Sequence, residues 1–332
     1  MEFRPIERAA GAFQVSVSAE QVRAMCRRAF GAGVAVTSAT ELGLGAYNST
    51  YRVALRGHRP VILRVAPEPA RQFRIERALM RNEHATAPYL AGLGELMPRT
   101  LAVDFTHQLL GRDYLFQSLL DGLPAPDGLA GYPRPVWAGF YGQLGGIART
   151  VHEVRGRRFG PVAGPAYDTW SQALIGYFTD AAADLRDAGL DAEDVHLLAD
   201  AVARRHALLD EVSEPRLLHG DLWTVNVLLD PAAATPTITG LVDSDRGWWG
   251  DPLADWTIHR ALQRQGAERA AFFDSYGPLP SSGSDELRAR FYLARHLVGV
   301  RLERHRLAKP GLAESGLADT YDEVREVLAT LA

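Results

Sequence analysis

Cysteine is almost missing from this chain. Cys26 stands alone among 332 residues, which excludes an internal disulfide and any multi-cysteine zinc site and suits a reducing compartment. Long apolar runs are missing too. None approaches the roughly 20 residues that span a bilayer, and the amino terminus, Met1-Glu2-Phe3-Arg4-Pro5, lacks the charged-then-apolar pattern of a signal peptide. No charge of one sign dominates: 36 Lys and Arg face 40 Asp and Glu, a net charge of −4, so there is no electrostatic footprint for nucleic acid. Low complexity is confined to Ala232-Ala233-Ala234 and to Pro278–Ser284, and no internal repeat is present. What is there is 47% hydrophobic and 23% charged residues, enough to bury a core, over a length that corresponds to about two domains. The expectation is a soluble cytoplasmic protein, monomer or homodimer, with neither membrane nor nucleic acid as partner.

The amino-terminal part reads as one helix followed by strands. Ser18-Ala19-Glu20-Gln21 matches a capping box, and Val22, Met25, Cys26 and Phe30 recur at helical spacing. Strand-like runs follow at Val34–Leu42, Tyr47–Leu55 and Pro60–Val65, with a turn at Arg56-Gly57-His58-Arg59. The spacing of Ile75, Leu79 and Met80 predicts a helix over about Ala70–Leu90, and Thr100–Asp104 and Tyr114–Leu119 read as two more strands. Asp121-Gly122-Leu123-Pro124 breaks the pattern and marks a boundary between residues 1–120 and 121–332. Beyond it, Val136–Val154, Thr169–Ala188, Val195–Val212, Ala267–Tyr276 and Ser284–Leu307 have helical periodicity. One strand-rich island interrupts them at Arg216–Asp245.

That island carries the chemistry. In His219-Gly220-Asp221-Leu222-Trp223-Thr224-Val225-Asn226, Asp221 and Asn226 lie five residues apart between short apolar strands. Phosphoryl transfer uses such a pair: a carboxylate orients the attacking hydroxyl and accepts its proton, and an amide oxygen holds a metal ion. A bland alternative is a turn whose Asp and Asn bond only to local backbone. Asp243 ends the next apolar strand, Leu241-Val242, as a second metal-binding group would. One or two carboxylates completed by phosphate oxygens and water suit Mg²⁺. Gly250-Asp251-Pro252 is a helix start.

Together His219-Gly220-Asp221-Leu222 through Asn226, Val242-Asp243 and Gly250-Asp251-Pro252-Leu253-Ala254-Asp255 resemble the signature of the aminoglycoside phosphotransferase superfamily. It is a group of antibiotic and metabolite kinases on a protein-kinase-like fold. The resemblance implies an α+β, bilobal architecture: a small antiparallel β-sheet lobe that binds nucleotide, a larger mainly helical lobe, and a cleft between them. It implies ATP or GTP with Mg²⁺ held by Asn226 and Asp243, and Asp221 as the catalytic group. Glu41–Val53 then resembles the phosphate-covering hairpin, with Ser49 and Thr50 as donors; Asn48 replaces the last glycine. Val61–Val65 resembles the strand that usually carries a phosphate-binding lysine, here Arg64, and the resemblance implies Glu83, which fits the family's spacing before Tyr89-Leu90, as its partner in preference to Glu76, read as merely solvated. Tyr114–Gly122 resembles the hinge, with the Ser118 carbonyl and the Leu120 amide on the purine edge.

The expected acceptor is a hydroxyl of a small molecule, an aminoglycoside or another antibiotic or natural product. A cluster of carboxylates between Asp221 and Asp255 would suit a cationic one, with Trp223 and Asp245 as candidate acceptor residues. Trp248 and Trp249 serve equally as stacking surfaces or as core, and His152 reads as structural rather than catalytic. A metabolic kinase for an amino alcohol, amino acid or sugar derivative is the alternative within the enzyme class. Outside it stands an inert nucleotide-binding module, which the presence of Asp221, Asn226 and Asp243 disfavours. A protein kinase is disfavoured because Gly250-Asp251-Pro252 follows Asp243 with no activation segment between them.

Overall fold

Two units, each with its own core, divide the chain: Met1–Gln72 with Met97–Asp121, and Phe73–Leu96 with Gly122–Ala332. The computed structural model describes residues 1–9, 11–43, 45–307 and 313–331, the side chains of 313–315 excepted. Leu44, in the expected glycine-rich turn, lies outside the described residues.

The first unit is built on six strands: β1 (Glu2–Arg4), β2 (Val36–Leu42), β3 (Ser49–Leu55), β4 (Val61–Val65), β5 (Thr100–Asp104) and β6 (Tyr114–Ser118), in the order β1-β2-β3-β4-β6-β5. The sheet is mixed rather than wholly antiparallel, because β1 lies parallel to β2. Helix α1 (Ala19–Phe30) begins at the capping box, Ser18 Oγ accepting from Gln21 N and Gln21 Oε1 from Ser18 N. Its apolar stripe, Val22, Met25 and Cys26, joins Tyr51, Val53, Leu63 and Phe116 in one core. Burial pushes the Cys26 thiol up to about 12, so this cysteine is an inert packing residue.

The second unit holds helices α2 (Leu79–Thr86), α3 (Ala125–Ala130), α4 (Trp137–His152), α5 (Trp170–Asp187), α6 (Glu193–Arg204), α7 (His206–Leu209), α8 (Trp256–Leu262), α9 (Gly266–Tyr276), α10 (Gly283–Leu307) and α11 (Ala313–Leu331). Two small sheets complete it. One is β11 (Ile238–Leu241)-β10 (Val227–Leu229)-β7 (Leu123–Pro124); the other is β8 (Gly160–Pro161)-β12 (Trp248–Gly250)-β9 (Arg216–Leu218). Its core runs from Trp170, Leu174 and Phe178 of α5 through Val195 and Leu198 of α6 to Phe291, Tyr292 and Val298 of α10. Arg301 of α10 is wholly buried and grips Asp194 of α6 through both carboxylate oxygens, at 2.9 and 2.6 Å. Among the described helices, none is long and apolar enough to cross a membrane.

The single helix expected over Ala70–Leu90 is instead broken. Two 3-10 turns precede α2, Ala78 sits in the left-handed region at φ 60°, and another 3-10 stretch begins at Ala87. The cause is tertiary. Asp184 of α5 takes Arg74 Nη1 at 2.9 Å and the Ile75 amide at 3.2 Å, and Pro88 supplies no amide to continue a helix. Helix α11 was not among the expected helices, although Pro310-Gly311 marks a break in the sequence before it.

Candidate active site

The loop that carries Asp221 is shaped by its neighbours. β9 delivers His219, and the hairpin β10–β11 leaves from the other end; Val227 faces Leu241 and the Val242 amide donates to the Asn226 carbonyl at 3.0 Å. That register sets Asn226 beside Val242, one residue from Asp243. Asp243 itself holds a left-handed backbone, φ 66°, a conformation costing about 1–2 kcal/mol outside glycine. Gly220 occupies the place where a protein-kinase loop has arginine, and the structure gives the reason. Its φ is 80°, and a Cβ there would run into the Arg246 carbonyl. The two motifs therefore meet backbone to backbone.

Asn226 Nδ2 donates to Asp221 Oδ2 at 2.9 Å and to the Asp221 carbonyl at 2.8 Å. Asp221 is thus locked to its own loop by the Asn226 amide nitrogen, which leaves the Asn226 Oδ1 out of that contact. Asp221 is half-buried; burial pushes its carboxyl up to about 7, with Asp243 pushing the same way and Arg246 and the Asn226 hydrogen bond opposing. Two neighbouring carboxylates and an amide oxygen are hard donors with negative charge in excess, a set that fits Mg²⁺ once phosphate oxygens are added. Among the described residues no three His, Cys, Asp or Glu side chains form a metal cluster of their own, and an ion shared with phosphate requires none.

Arg246 is a residue the sequence pattern did not single out. Burial opposes its charge, but Glu76, Asp221, Asp245 and Glu303 together hold its guanidinium above the ordinary value. Its Nη2 lies 3.3 Å from Glu76 Oε1. Glu76 is therefore no solvated residue: it is 3% exposed and also pairs with Arg306. A cation three residues beyond Asp243 was the available signal.

Asp255 holds the loop from beneath. Its Oδ2 accepts from the His219 amide at 2.7 Å and meets His152 Nε2 at 3.0 Å; its Oδ1 accepts from the Gly220 and Thr257 amides at 3.3 and 3.2 Å. Burial alone would raise this carboxyl, yet the hydrogen bond and charge of His152 bring it down to about 2. His152 Nδ1 meets the Tyr276 hydroxyl at 2.7 Å, as a structural histidine should. His219 is wholly buried, and burial depresses its basicity, keeping it neutral.

The other expected site residues divide between the units. On the first, Thr50 faces Arg64 across β3 and β4 and Ser49 faces Val65. Arg64 is 7% exposed, so it is no surface strand arginine. Ser49 is buried and its hydroxyl donates to the Val15 carbonyl at 3.3 Å, which leaves less of that group for a phosphate than the sequence suggests. Ser118 closes β6 opposite Val61, its amide on the Arg99 carbonyl, and Leu120 follows half-buried. On the second unit, Glu83 is buried in α2. Asp245 is also buried, with its carbonyl on Asn82 Nδ2 at 2.7 Å. Trp248 packs edge-on against Trp170 and Tyr177, and Trp249 against Tyr89; both are core rather than stacking surfaces. Trp223 is half-buried beneath the Arg260 guanidinium.

A sequence model of a phosphotransferase enzyme family matches residues 38–292. No curated protein matches the chain. Solved structures do. A mutant of aminoglycoside 2′-phosphotransferase-IIIa in its GDP complex is 16% identical, with a TM-score of 0.61 over 94% of this chain and 98% of that one. A thermostable mutant of aminoglycoside phosphotransferase APH(4)-Ia, in ternary complex with AMP-PNP and hygromycin B, is 16% identical, with a TM-score of 0.60 over 94% and 99%. The GDP and kanamycin complex of APH(2″)-IIIa is 18% identical, with a TM-score of 0.60 over 93% and 98%. At such identities the likeness is one of fold. The chain has the α+β, protein-kinase-like fold.

Proposed function

The chain belongs to the phosphotransferase enzyme family, and on that premise we propose that it phosphorylates a hydroxyl of a small molecule, an antibiotic or other natural product, from ATP or GTP with Mg²⁺. The observation that carries the reading is the Asp221–Asn226 pair, in which Asn226 Nδ2 holds both the Asp221 carboxylate and the Asp221 carbonyl. GDP, AMP-PNP, kanamycin and hygromycin B in the related structures support nucleotide use and a small acceptor.

Asp221 orients the acceptor hydroxyl in line with the γ-phosphorus and takes its proton as the new O–P bond forms. The bond to the β–γ bridging oxygen breaks and the nucleoside diphosphate leaves. Asn226 and Asp243 are the residues that would hold Mg²⁺, which when bound neutralises charge on the transferring phosphoryl group. Arg246 places a further positive charge beside Asp221. Asp255 is a positioning residue that acts through the His219 and Gly220 amides. To the nucleotide we assign Ser49, Thr50, Arg64, Ser118 and Leu120 of the first unit and Glu83 of the second. Much of the acceleration then comes from alignment, which is worth up to about 7–11 kcal/mol in well-oriented reactions.

The test is mass spectrometry of antibiotic and metabolite panels incubated with the chain, Mg²⁺ and ATP or GTP. An acceptor gaining one phosphoryl group, matched by equimolar nucleoside diphosphate, is the expected result. Nucleotide hydrolysis alone across both panels contradicts the reading.

A further inference from the structure

Immediately beyond Asp221 the loop enters a small cavity walled by Leu222, Trp223, Tyr141, Arg260, Arg264 and Phe272. Thr257 of α8 fixes this wall to the loop, its hydroxyl donating to the Leu222 carbonyl at 2.7 Å. The Arg260 guanidinium lies over Trp223, 5.6 Å from the ring centroid, and 5.7 Å from that of Trp256; the Arg264 guanidinium lies 5.2 Å over Tyr141. Arg260 spends Nη1 on Gln263 at 2.8 Å, while its buried Nε has no partner among the described residues. The charged groups acting on Arg260 are Arg264 and Tyr141, with no carboxylate among them. Glu268, the acidic side chain of this neighbourhood, is taken by Arg134. The wall that begins at the residue after Asp221 is therefore aromatic and carries two guanidinium groups.

We propose that this wall selects the acceptor: an alcohol with a planar or apolar body that carries a carboxylate or similar oxyanion, in preference to a polycation. The inference rests on the phosphotransferase reading, which places the acceptor beside Asp221. Two guanidinium groups suit an oxyanion because their paired N–H donors match its geometry. The half-buried ring of Trp223 suits a flat body. The cavity itself is about 20 Å³, room for one small group rather than a sugar ring. A polycationic acceptor placed there would meet like charge, and a site that repels the wrong partner gains specificity as surely as one that attracts the right one.

The test compares 4-(hydroxymethyl)benzoate with its neutral amide, 4-(hydroxymethyl)benzamide, by calorimetric titration of the full chain loaded with Mg²⁺ and a non-hydrolysable nucleotide. Binding of the acid about tenfold or more tighter than the amide is expected, the scale of a charge-assisted hydrogen bond. Arg260→Gln should remove about that factor for the acid and leave the amide unchanged, with Arg264→Gln as a second variant of the same wall. Kanamycin should not displace the acid. Equal affinity for acid and amide in the unmodified chain, or displacement by kanamycin, overturns the inference. Transfer is scored separately by mass spectrometry across the acceptor panels, so a chain that selects the acid yet phosphorylates nothing contradicts the phosphotransferase reading and not the wall.

Discussion

Asp255→Asn removes a charge from beneath the catalytic loop without changing the shape of the side chain. The carboxylate accepts three backbone amides and faces His152, two partners on each oxygen. A carboxamide presents one acceptor and one donor, so in either orientation an NH₂ points at an amide N–H of the loop or of α8. About two hydrogen bonds to a charged group are lost, at roughly 1.5–3 kcal/mol each, or about 3–6 kcal/mol in all. In a chain of this size that corresponds to a fall in Tm of roughly 10 °C. The loop should loosen as well. Displacing a reacting group by about 1 Å costs around 100-fold in rate, so kcat should fall by that order while nucleotide affinity, which this residue does not touch, stays near the unmodified value. Thermal unfolding and steady-state kinetics with nucleotide titration read both effects. A variant with unchanged Tm and kcat refutes the reasoning that Asp255 positions Asp221.

Three further outcomes follow from the same geometry. Gly220→Ala should destabilise by about 2 kcal/mol or more and depress kcat, because the position needs φ 80° and an added methyl meets the Arg246 carbonyl; denaturant unfolding reads the first effect. Arg246→Gln should cost about 3 kcal/mol in chemical denaturation, since it strips a cation from the buried Glu76 and leaves Asp221 less compensated. Acid should weaken the fold through Asp255. Its carboxyl lies below the ordinary 3.8, so its contribution, about 2 kcal/mol, is present above that value and is lost as pH falls from about 4 through about 2. The gap in stability between the unmodified chain and Asp255→Asn should narrow by about 2 kcal/mol across that window.

Local signals were legible where local forces decide. The capping box at Ser18 and the strand-like runs of β2, β3, β4 and β6 are set within a few residues, and the structure follows them. Interactions spanning a hundred residues were not legible. Asp184 breaks the expected helix near Arg74, and Glu76 is buried because Arg246 and Arg306 come to it from far along the chain. The tryptophans beside Gly250 read as ambiguous for the same reason: Trp170 and Tyr177 of α5, which cover Trp248, carry no mark of that role in their own sequence. The acceptor wall was half visible. Trp223 sits inside the motif, whereas Arg260 and Arg264 join it only once α8 is folded against the loop.

The central claim is that Asp221 serves transfer and not nucleotide binding. It is tested most directly by measuring both in Asp221→Ala beside the unmodified chain, with Mg²⁺ and an acceptor that the unmodified chain phosphorylates. The account predicts nucleotide affinity within about threefold and a loss of transfer of at least about 100-fold, the lower end for a positioned general base. Unmodified transfer by Asp221→Ala would contradict it.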